Sequence, residues 1–301
     1  MPILDTLCVE LTSRCPLRCV HCSANATPFG QSFMPMQQLQ DFLSCLPQLR
    51  ELYLSGGEPF EHPEILPLIR AMQRYSSTVI AYSSGTTLSE LKPRSLSYDV
   101  LVAARQSGLR RLDISLYAST PDLHDAITGT PGSFSATIET AERASYAALP
   151  LGIHCVPIGP AADTILETYS LACRLEATHF HVLALTPQGR ARSHFLDLAP
   201  STTFWSMLDE VSRNGAVVPA LLSRQLRRRL GHPILTARDT YNTAFLDVKG
   251  YLYPGEGWRL PALRSRTSVF EGISKDEFTA ELRVLRERAL SMEVTRNGCL
   301  S

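Results

Sequence analysis

Three cysteines, Cys15, Cys19 and Cys22, follow one another at the spacing C-x3-C-x2-C in a segment that also carries Arg18 and His21. Three thiolates this close together are typical ligands of a soft metal ion or an iron–sulfur cluster. Because a [4Fe–4S] cluster usually takes four cysteines, three would leave one iron open to an outside ligand. Two other interpretations are a zinc site, whose common cysteine pairs do not match this triad, and three buried structural cysteines, which the polar neighbours disfavour.

The same segment resembles a known family. A C-x3-C-x2-C loop after a first strand is similar to the cluster loop of the radical S-adenosylmethionine (SAM) superfamily of enzymes. Further segments resemble motifs of that superfamily and keep their order from about Leu4 to Arg192. They are Leu54-Ser55-Gly56-Gly57-Glu58-Pro59, Tyr82-Ser83-Ser84-Gly85, Ser115-Leu116-Tyr117 with His124-Asp125 and Gly129-Thr130-Pro131-Gly132-Ser133-Phe134, and Pro187-Gln188-Gly189-Arg190-Ala191.

The resemblance implies two cofactors, one [4Fe–4S] cluster bound by Cys15, Cys19 and Cys22, and SAM bound to the open iron through its amino and carboxylate groups. It also implies a reaction. One electron, delivered by a flavodoxin- or ferredoxin-type donor, cleaves the sulfur–C5′ bond of SAM and gives methionine and a 5′-deoxyadenosyl radical. This radical abstracts a hydrogen atom from the substrate, while the protein orients the reactants and excludes water.

Five residues near strand ends are implied as contacts of SAM. Gly56, Gly57 and Glu58 would contact its amino group through the main chain and the Glu58 carboxylate, since glycines let a backbone approach a ligand closely. Ser83 and Ser115 would hydrogen-bond its amino-acid or ribose part from the carboxyl ends of strands, where barrel enzymes keep their chemistry. The structural alternatives are an ordinary strand-to-helix turn and hydroxyls that cap turns.

Three more residues are candidate SAM contacts. His154 and Cys155 are adjacent on a predicted strand, so their side chains point to opposite faces, and His154 would touch SAM if it faces the barrel lumen. The resemblance also implies an arginine that pairs with the SAM carboxylate, a role that suits the guanidinium group. Arg190 and Arg192 are both candidates, and a solvent-exposed side chain is the alternative for each.

The elements that must position these residues alternate between strands and helices. The predicted fold class is α/β, a partial (β/α)6 TIM-like barrel with a small C-terminal α+β extension; six units do not reach the eight of a closed barrel. The six predicted strands are Leu4–Thr12, Glu51–Leu54, Thr78–Ala81, Leu112–Leu116, Leu151–Val156 and His179–Leu185. Residues 88–97 are predicted to form a long connection, and Ser133 is predicted to be the N-cap of the helix that follows it.

Residues 1–200 are predicted to form the radical SAM partial barrel, and residues 201–301 an extension of the SPASM or "twitch" type. The extension would open with a hairpin, Phe245–Pro254, around a Lys-Gly turn. In the family the proline is usually followed by a cysteine that binds a second cluster, but Gly255 stands there. We therefore expect no auxiliary cluster and an extension held together by packing. The expected core is Phe245, Leu246, Tyr251, Tyr253 and Trp258.

Composition limits the remaining possibilities. Lysine plus arginine and aspartate plus glutamate number 29 each, so zero net charge favours neither nucleic acid nor an anionic membrane as a partner. No apolar run approaches the roughly 20 residues of a membrane-spanning helix. Eight cysteines without a signal peptide predict reduced thiols and a cytoplasmic protein. Outside the triad, Cys8, Cys155 and Cys173 are predicted to be core residues and Cys45 to be structural, and Cys299 is not expected to bind a cluster.

Three functions remain open. The leading hypothesis is an enzyme that modifies a ribosomal peptide, for example by cross-linking or epimerising a residue, because the Ser115–Tyr117 segment and the hairpin near Tyr251 resemble that branch. The alternative is an enzyme of small-molecule natural-product biosynthesis, such as an aminosugar epimerase or dehydrogenase, which the neutral charge suits equally well. The third hypothesis, a binding protein that has lost catalysis, is disfavoured by the intact cysteine triad.

Overall fold

Nine strands of the described chain form one mostly parallel sheet. The computed structural model describes residues 4–89, 92–183, 185–201, 203–204, 206, 221–222, 242–255 and 259–297. In chain order, the strands of the described residues are β1 (Thr6–Glu10), β2 (Leu49–Ser55), β3 (Ser76–Ser83), β4 (Thr86–Ser89), β5 (Lys92–Ser95), β6 (Leu109–Ser115), β7 (Leu151–Cys155), β8 (His179–Val182), β9 (Leu221–Leu222), β10 (Thr243–Leu246) and β11 (Leu252–Tyr253). Of these, β4 and β5 form a separate pair. The sheet order is β11-β10-β1-β2-β3-β6-β7-β8-β9, and all neighbours except β10 and β11 are parallel.

Helices connect the parallel strands. They are α1 (Met36–Ser44), α2 (Ile65–Met72), α3 (Tyr98–Gln106), α4 (Pro121–Thr128), α5 (Ser133–Tyr146), α6 (Ile165–Arg174), α7 (Phe195–Leu198) and α8 (Lys275–Asn297). The six predicted strands correspond to β1, β2, β3, β6, β7 and β8. The predicted α/β class and its alternation of strands and helices are therefore confirmed.

The two faces of the sheet differ in chemistry. On the outer face, Leu52, Val79 and Leu112 are fully buried in one large core with residues of the helices such as Leu39 and Leu68. Burial of aliphatic side chains of this kind is the main favourable contribution to folding. The inner face carries aromatic and polar side chains instead, among them Tyr53 and Tyr82 next to buried Cys8, Phe245 and Tyr253.

The predicted hairpin in the C-terminal part forms, since β10 and β11 pair antiparallel from Phe245↔Tyr253 to Leu246↔Leu252. Its first strand also pairs in parallel with β1, so the hairpin widens the barrel sheet. Phe245, Leu246 and Tyr253 are buried as expected and Tyr251 is partly exposed, while Trp258 and Cys299 lie outside the described residues. The division at residue 200 stays a prediction.

Two local predictions were wrong. Where a long connection was expected, β4 and β5 form a small antiparallel hairpin. Thr140 of α5, which lies far along the chain, holds this hairpin in place, because its Oγ1 donates to the Gly85 carbonyl and accepts from the Leu96 N–H. Ser133 is the first residue of α5, not its N-cap, which is Gly132. The Ser133 hydroxyl instead donates to Asp125 Oδ1 at 2.8 Å.

The turn between β10 and β11 depends on one carboxylate, which generates the first testable prediction. Asp247 Oδ1 accepts the N–H groups of Lys249 and Tyr251 at 2.9 Å each, and Oδ2 accepts the Tyr253 hydroxyl at 3.2 Å. Asp247→Ala should lower the free energy of unfolding by about 1–3 kcal/mol, because three donors, among them the buried Tyr253 hydroxyl, lose their acceptor. Urea titration measures it, with exposed Asp197→Ala as control; equal midpoints for both variants would contradict this role.

Candidate cluster and cofactor site

The cysteine loop follows β1 at the carboxyl edge of the sheet. Cys15 is buried, Cys19 and Cys22 are partly buried, and all three pack in one small cluster with Leu17 and Ala26. The structure therefore brings the predicted triad together. No three histidine, cysteine, aspartate or glutamate side chains of the described residues converge on a single ion. A cluster needs a wider arrangement than a single ion, since each thiolate binds a different iron. Binding of a cluster by the three cysteines stays a prediction.

The electrostatics of the loop favour neutral thiols unless a cation is bound. Burial raises the pKa of the Cys15 thiol well above its ordinary value, and neighbouring Cys19 and Glu58 raise it further. Burial and Cys22 raise the pKa of Cys19 to about 12, although Arg190 acts in the opposite direction. Bound metal reverses this preference because its positive charge stabilises the thiolate form.

Arg190 holds the cysteine loop through its carbonyl groups. Its Nε donates to the Cys19 carbonyl at 2.7 Å and its Nη1 to the Ala26 carbonyl at 2.9 Å, while its backbone N–H donates to the Cys22 carbonyl at 2.9 Å. Arg192, two residues later, is exposed. The two candidate arginines thus lie in different surroundings, and pairing of either with the SAM carboxylate stays a prediction.

Two glycines allow other segments to reach the same loop. A Cβ atom on Gly57 would lie 2.1 Å from the Arg14 carbonyl oxygen, and one on Gly189 would lie 2.1 Å from that of Cys22. Gly57 N–H and Glu58 N–H donate to the carbonyls of Thr12 and Arg14 at 2.6 and 2.8 Å. The absence of a side chain at Gly57 therefore serves contact with the cysteine loop, whatever it also allows toward a ligand.

The Glu58 carboxylate is fully buried and accepts four hydrogen bonds. Oε1 accepts from Ser83 Oγ at 2.8 Å and Phe60 N–H at 3.2 Å, and Oε2 from Ser84 Oγ at 2.6 Å and Ser84 N–H at 2.7 Å. Burial raises the pKa of Glu58 to about 7, although these hydrogen bonds oppose the shift. Glu58 and Ser83, both predicted to touch SAM, are thus joined to each other, and their contact with SAM stays a prediction.

Ser115 and His154 lie opposite each other at the ends of β6 and β7. The Ser115 side chain hydrogen-bonds Tyr117, whose ring packs edge-on against His21 of the cysteine loop at 4.7 Å. His154 does face the lumen, where its ring contacts Tyr82 at 4.6 Å. His154 therefore has the orientation that a contact with SAM requires, and the contact itself stays a prediction.

The loop between α4 and α5 is organised by Asp125. Its carboxylate accepts from Gly132 N–H at 2.6 Å and Phe134 N–H at 2.8 Å, in addition to Ser133. The end of α4 then meets the cysteine loop, since Arg18 N–H donates to the Thr128 carbonyl. The residues quoted for the family resemblance around His124 and Gly129 therefore support the cysteine loop.

Sequence reasoning missed a polar group on the inner face. Arg111 and Asp113 on β6 form a bidentate ion pair at 2.6 and 2.8 Å, and His181 on β8 lies 2.9 Å from His154. Burial alone would raise the pKa of Asp113, but His154 and Arg111 outweigh it and hold that pKa well below its usual range. The sequence does carry one sign of this polar group, since every second residue of β6 from Arg111 through Asp113 to Ser115 is polar.

Gly189 gives the second prediction. Gly189→Ala should reduce iron binding, because the new Cβ would lie 2.1 Å from the Cys22 carbonyl oxygen and would displace the backbone of the cysteine loop. Gly159 is the matched control, since its φ of +45° resembles the +53° of Gly189 but nothing lies within 4 Å of its would-be Cβ. Iron per chain after anaerobic reconstitution measures the effect. Full iron binding by Gly189→Ala would show that the close approach is dispensable.

Glu58 gives the third prediction, on pH. Its pKa is raised to about 7 from 4.5, so the folded protein keeps a proton that the unfolded chain releases. The resulting stabilisation is complete below about pH 4.5 and is lost as the pH rises through 7. Between these values the free energy of unfolding should fall by up to about 1.4 kcal/mol per pH unit more than in Glu58→Gln.

Urea titrations at several pH values measure this difference, and Glu139→Gln on the exposed part of α5 is the control. Parallel pH profiles of the wild-type protein and Glu58→Gln would show that Glu58 is ionised throughout. Infrared absorption of a protonated carboxyl group, lost in Glu58→Gln, gives an independent titration of the same group.

Comparison with known proteins identifies relatives in sequence and fold. The chain is 29% identical over 186 residues to an AdoMet-dependent heme synthase of Methanosarcina barkeri, covering 60% of this chain and 50% of the relative. It is 29% identical over 205 residues to a PqqA peptide cyclase of Ruegeria pomeroyi, covering 67% and 52%. The chain thus spans about half the length of these curated relatives.

The fold is similar to that of Streptococcus suis SuiB bound to S-adenosylmethionine, with a TM-score of 0.72 and 13% identity over 95% of this chain and 68% of that one. No helix of the described residues is both long and apolar enough to cross a membrane. The model of the radical SAM superfamily matches residues 9–172, more than half of the chain. The cofactors of the chain are the [4Fe–4S] cluster and SAM of that family. The chain belongs to the radical SAM superfamily of enzymes.

Proposed function

We propose that the chain binds a single [4Fe–4S] cluster through Cys15, Cys19 and Cys22 and uses it to cleave SAM reductively. The observation that carries this proposal is the convergence of the three cysteines in one loop whose carbonyl groups are held from several directions. The chemistry supplied by the bound cluster and SAM is the formation of a 5′-deoxyadenosyl radical that abstracts a substrate hydrogen. Gly255 at the position of an auxiliary-cluster cysteine favours about four irons per chain.

The residues of this chain orient the cofactors and keep water out. Arg190 fixes the loop so that the three thiols keep their relative positions. Cys19 is covered by apolar side chains of a buried cluster, which includes Tyr117, Ala118 and Ile127. Exclusion of water protects a reactive radical and strengthens electrostatic interactions within the site.

The SAM contacts divide into two groups by their surroundings. Gly56, Gly57, Ser115 and His154 lie at the carboxyl edge beside the cysteine loop and offer main-chain groups or side chains to the amino-acid and ribose parts. Glu58, Ser83 and Arg190 act mainly by holding other groups of the protein in place through their hydrogen bonds. Ser115 and His154 also have protein partners, but their side chains lie at the ends of their strands. Arg192 is exposed and remains available for the SAM carboxylate.

We infer that the substrate is a ribosomal peptide in which a residue is cross-linked or epimerised. Similarity to a PqqA peptide cyclase over two thirds of this chain supports this inference, as does the hairpin at Tyr251. A small-molecule substrate is the second candidate, because the similarity to a heme synthase is equally strong at 29% identity. The division into a barrel of residues 1–200 and an extension of 201–301 belongs to the same proposal.

The free cysteines and the net charge support a cytoplasmic location. Free cysteines at Cys8, Cys45, Cys155 and Cys173 suit the reducing cytoplasm, where a flavodoxin- or ferredoxin-type protein would deliver the electron. Of these, Cys45 and Cys173 are exposed, so Cys173 is not the core residue that its helix suggested. Zero net charge gives no attraction to nucleic acid or to an anionic membrane.

The fourth prediction tests this function. Anaerobically reconstituted, reduced protein should convert SAM to 5′-deoxyadenosine, and a short peptide encoded beside its gene should change mass by cross-linking or become epimerised. Cys19→Ala should abolish both reactions, whereas exposed Cys173→Ala should retain both within a few-fold. Mass spectrometry and chiral amino-acid analysis read the peptide. Cleavage surviving in Cys19→Ala would refute the cluster assignment, and SAM cleavage without any peptide change would favour the small-molecule candidate.

A further inference from the structure

Four side chains form a continuous polar chain across the inner face of β6, β7 and β8. Arg111 binds both carboxylate oxygens of Asp113, and Asp113 Oδ2 lies 3.4 Å from His154 Nε2. His154 Nε2 in turn lies 2.9 Å from His181 Nδ1, with the two rings stacked at 4.8 Å. His154 and His181 are register partners one residue before the ends of their strands, so the chain of contacts ends at the carboxyl edge.

The charge of Asp113 decides where the histidine protons lie. An unprotonated His154 Nε2 would direct a lone pair at the Asp113 carboxylate 3.4 Å away, so the carboxylate favours the tautomer of His154 that carries its proton on Nε2. His181 Nδ1, 2.9 Å away, is then the acceptor of that proton. A neutral imidazole with an accepting Nδ1 carries its own proton on Nε2. His181 is thereby fixed as a donor through Nε2.

That donor has no acceptor among the residues that the structure describes. His181 Nε2 is buried and makes no hydrogen bond to any residue that the structure describes, although part of the His181 side chain reaches the lumen surface. Burial and the neighbouring His154 lower the pKa of His181 to about 4, so the ring is neutral near pH 7. Buried donors are rarely left unpaired, and the missing acceptor is therefore expected on a bound molecule.

The surrounding charges select the kind of acceptor. Arg111 and Asp113 neutralise each other, and the other described polar groups that face the histidines are Tyr82 and His179. Since the described residues around the histidines carry no net positive charge, they offer a ligand one hydrogen bond and no ion pair. A neutral carbonyl oxygen fits this site better than a carboxylate or a phosphate, which gain most from a cation.

We propose that His181 donates its Nε2 hydrogen to an amide carbonyl oxygen of the peptide substrate and thereby positions the residue from which hydrogen is abstracted. Asp113 and His154 are positioning residues that fix the tautomer of His181. This inference rests on the proposed peptide substrate. It adds a contact at β8, and of the SAM contacts proposed above it involves only His154, whose Nε2 orients His181.

Two substitutions of His181 separate its two nitrogen atoms. The amide of His181→Asn reaches about as far as Nδ1, and that of His181→Gln about as far as Nε2. His181→Asn should raise the KM for the peptide about five- to tenfold, as one neutral hydrogen bond would, while His181→Gln stays within about threefold. His179→Asn, on the same strand and face, is the control and should leave KM unchanged.

A second measurement reads the tautomer directly, without turnover. In oxidised, reconstituted holoenzyme labelled with [15N]histidine, nitrogen shifts at pH 7 should show His181 neutral and protonated on Nε2. Asp113→Asn should shift His154 and His181 toward a mixture of tautomers, because the charge that fixes them is gone. A His181 that is charged, or protonated on Nδ1, in the wild-type protein would overturn the proposal.

The outcomes distinguish this inference from the function on which it rests. An unchanged peptide KM in His181→Asn, with normal conversion by the wild-type protein, would overturn the contact alone. A tenfold loss of SAM affinity in His181→Asn, measured by equilibrium dialysis, would assign the donor to SAM and also overturn it. Failure of the wild-type protein to convert any peptide would remove the proposed function, and this inference with it.

Discussion

The hydrogen bond from Arg190 to the Cys19 carbonyl, 2.7 Å long, joins residues 171 positions apart and is the contact on which the site depends. A loop with three cysteines has no regular secondary structure of its own to fix its thiols. Its carbonyl groups must therefore find donors elsewhere, since buried backbone groups without partners are costly. Arg190, Gly57 and Glu58 supply donors or close contacts from two other segments of the sheet edge.

The same constraint explains the inner organisation of the site. Glu58 donates its N–H to the cysteine loop and directs its carboxylate toward Ser83 and Ser84, so one residue links the loop, the turn after β2 and the end of β3. Burial alone would make a carboxylate unfavourable there, and four donors compensate for part of that cost. Glu58, which its motif predicts to contact SAM, thus also belongs to the hydrogen-bonded framework around the cysteine loop.

The division of the sheet into two faces separates stability from chemistry. The outer face is aliphatic and packs against the helices, while the inner face holds Tyr82, Asp113 and His154 in a chain of ring contacts and hydrogen bonds. Polar side chains such as Asp113 and His154 are tolerated inside because they find partners on the same strand or on the neighbouring strand. The widening of the sheet by β10 beside β1 extends this inner face into the C-terminal part.

The sequence by itself determined what short-range patterns carry. The cysteine spacing, the alternation of strands and helices and the hairpin around the Lys249-Gly250 turn are all visible in segments of a few residues. Its periodicity also set Cys155 and His154 on opposite faces of β7. Local patterns suffice here because strand pleat and turn chemistry depend on near neighbours.

Only the tertiary structure decided which groups meet across the fold. It joined Arg190 to Cys19, gave the Ser133 hydroxyl to Asp125 in place of a helix cap, and paired residues 86–89 with 92–95 beside Thr140. It also joined His154 to His181, two residues that no motif connects. Such pairings depend on strand order and register, which bring together residues far apart in the chain and leave no trace in the spacing of either partner.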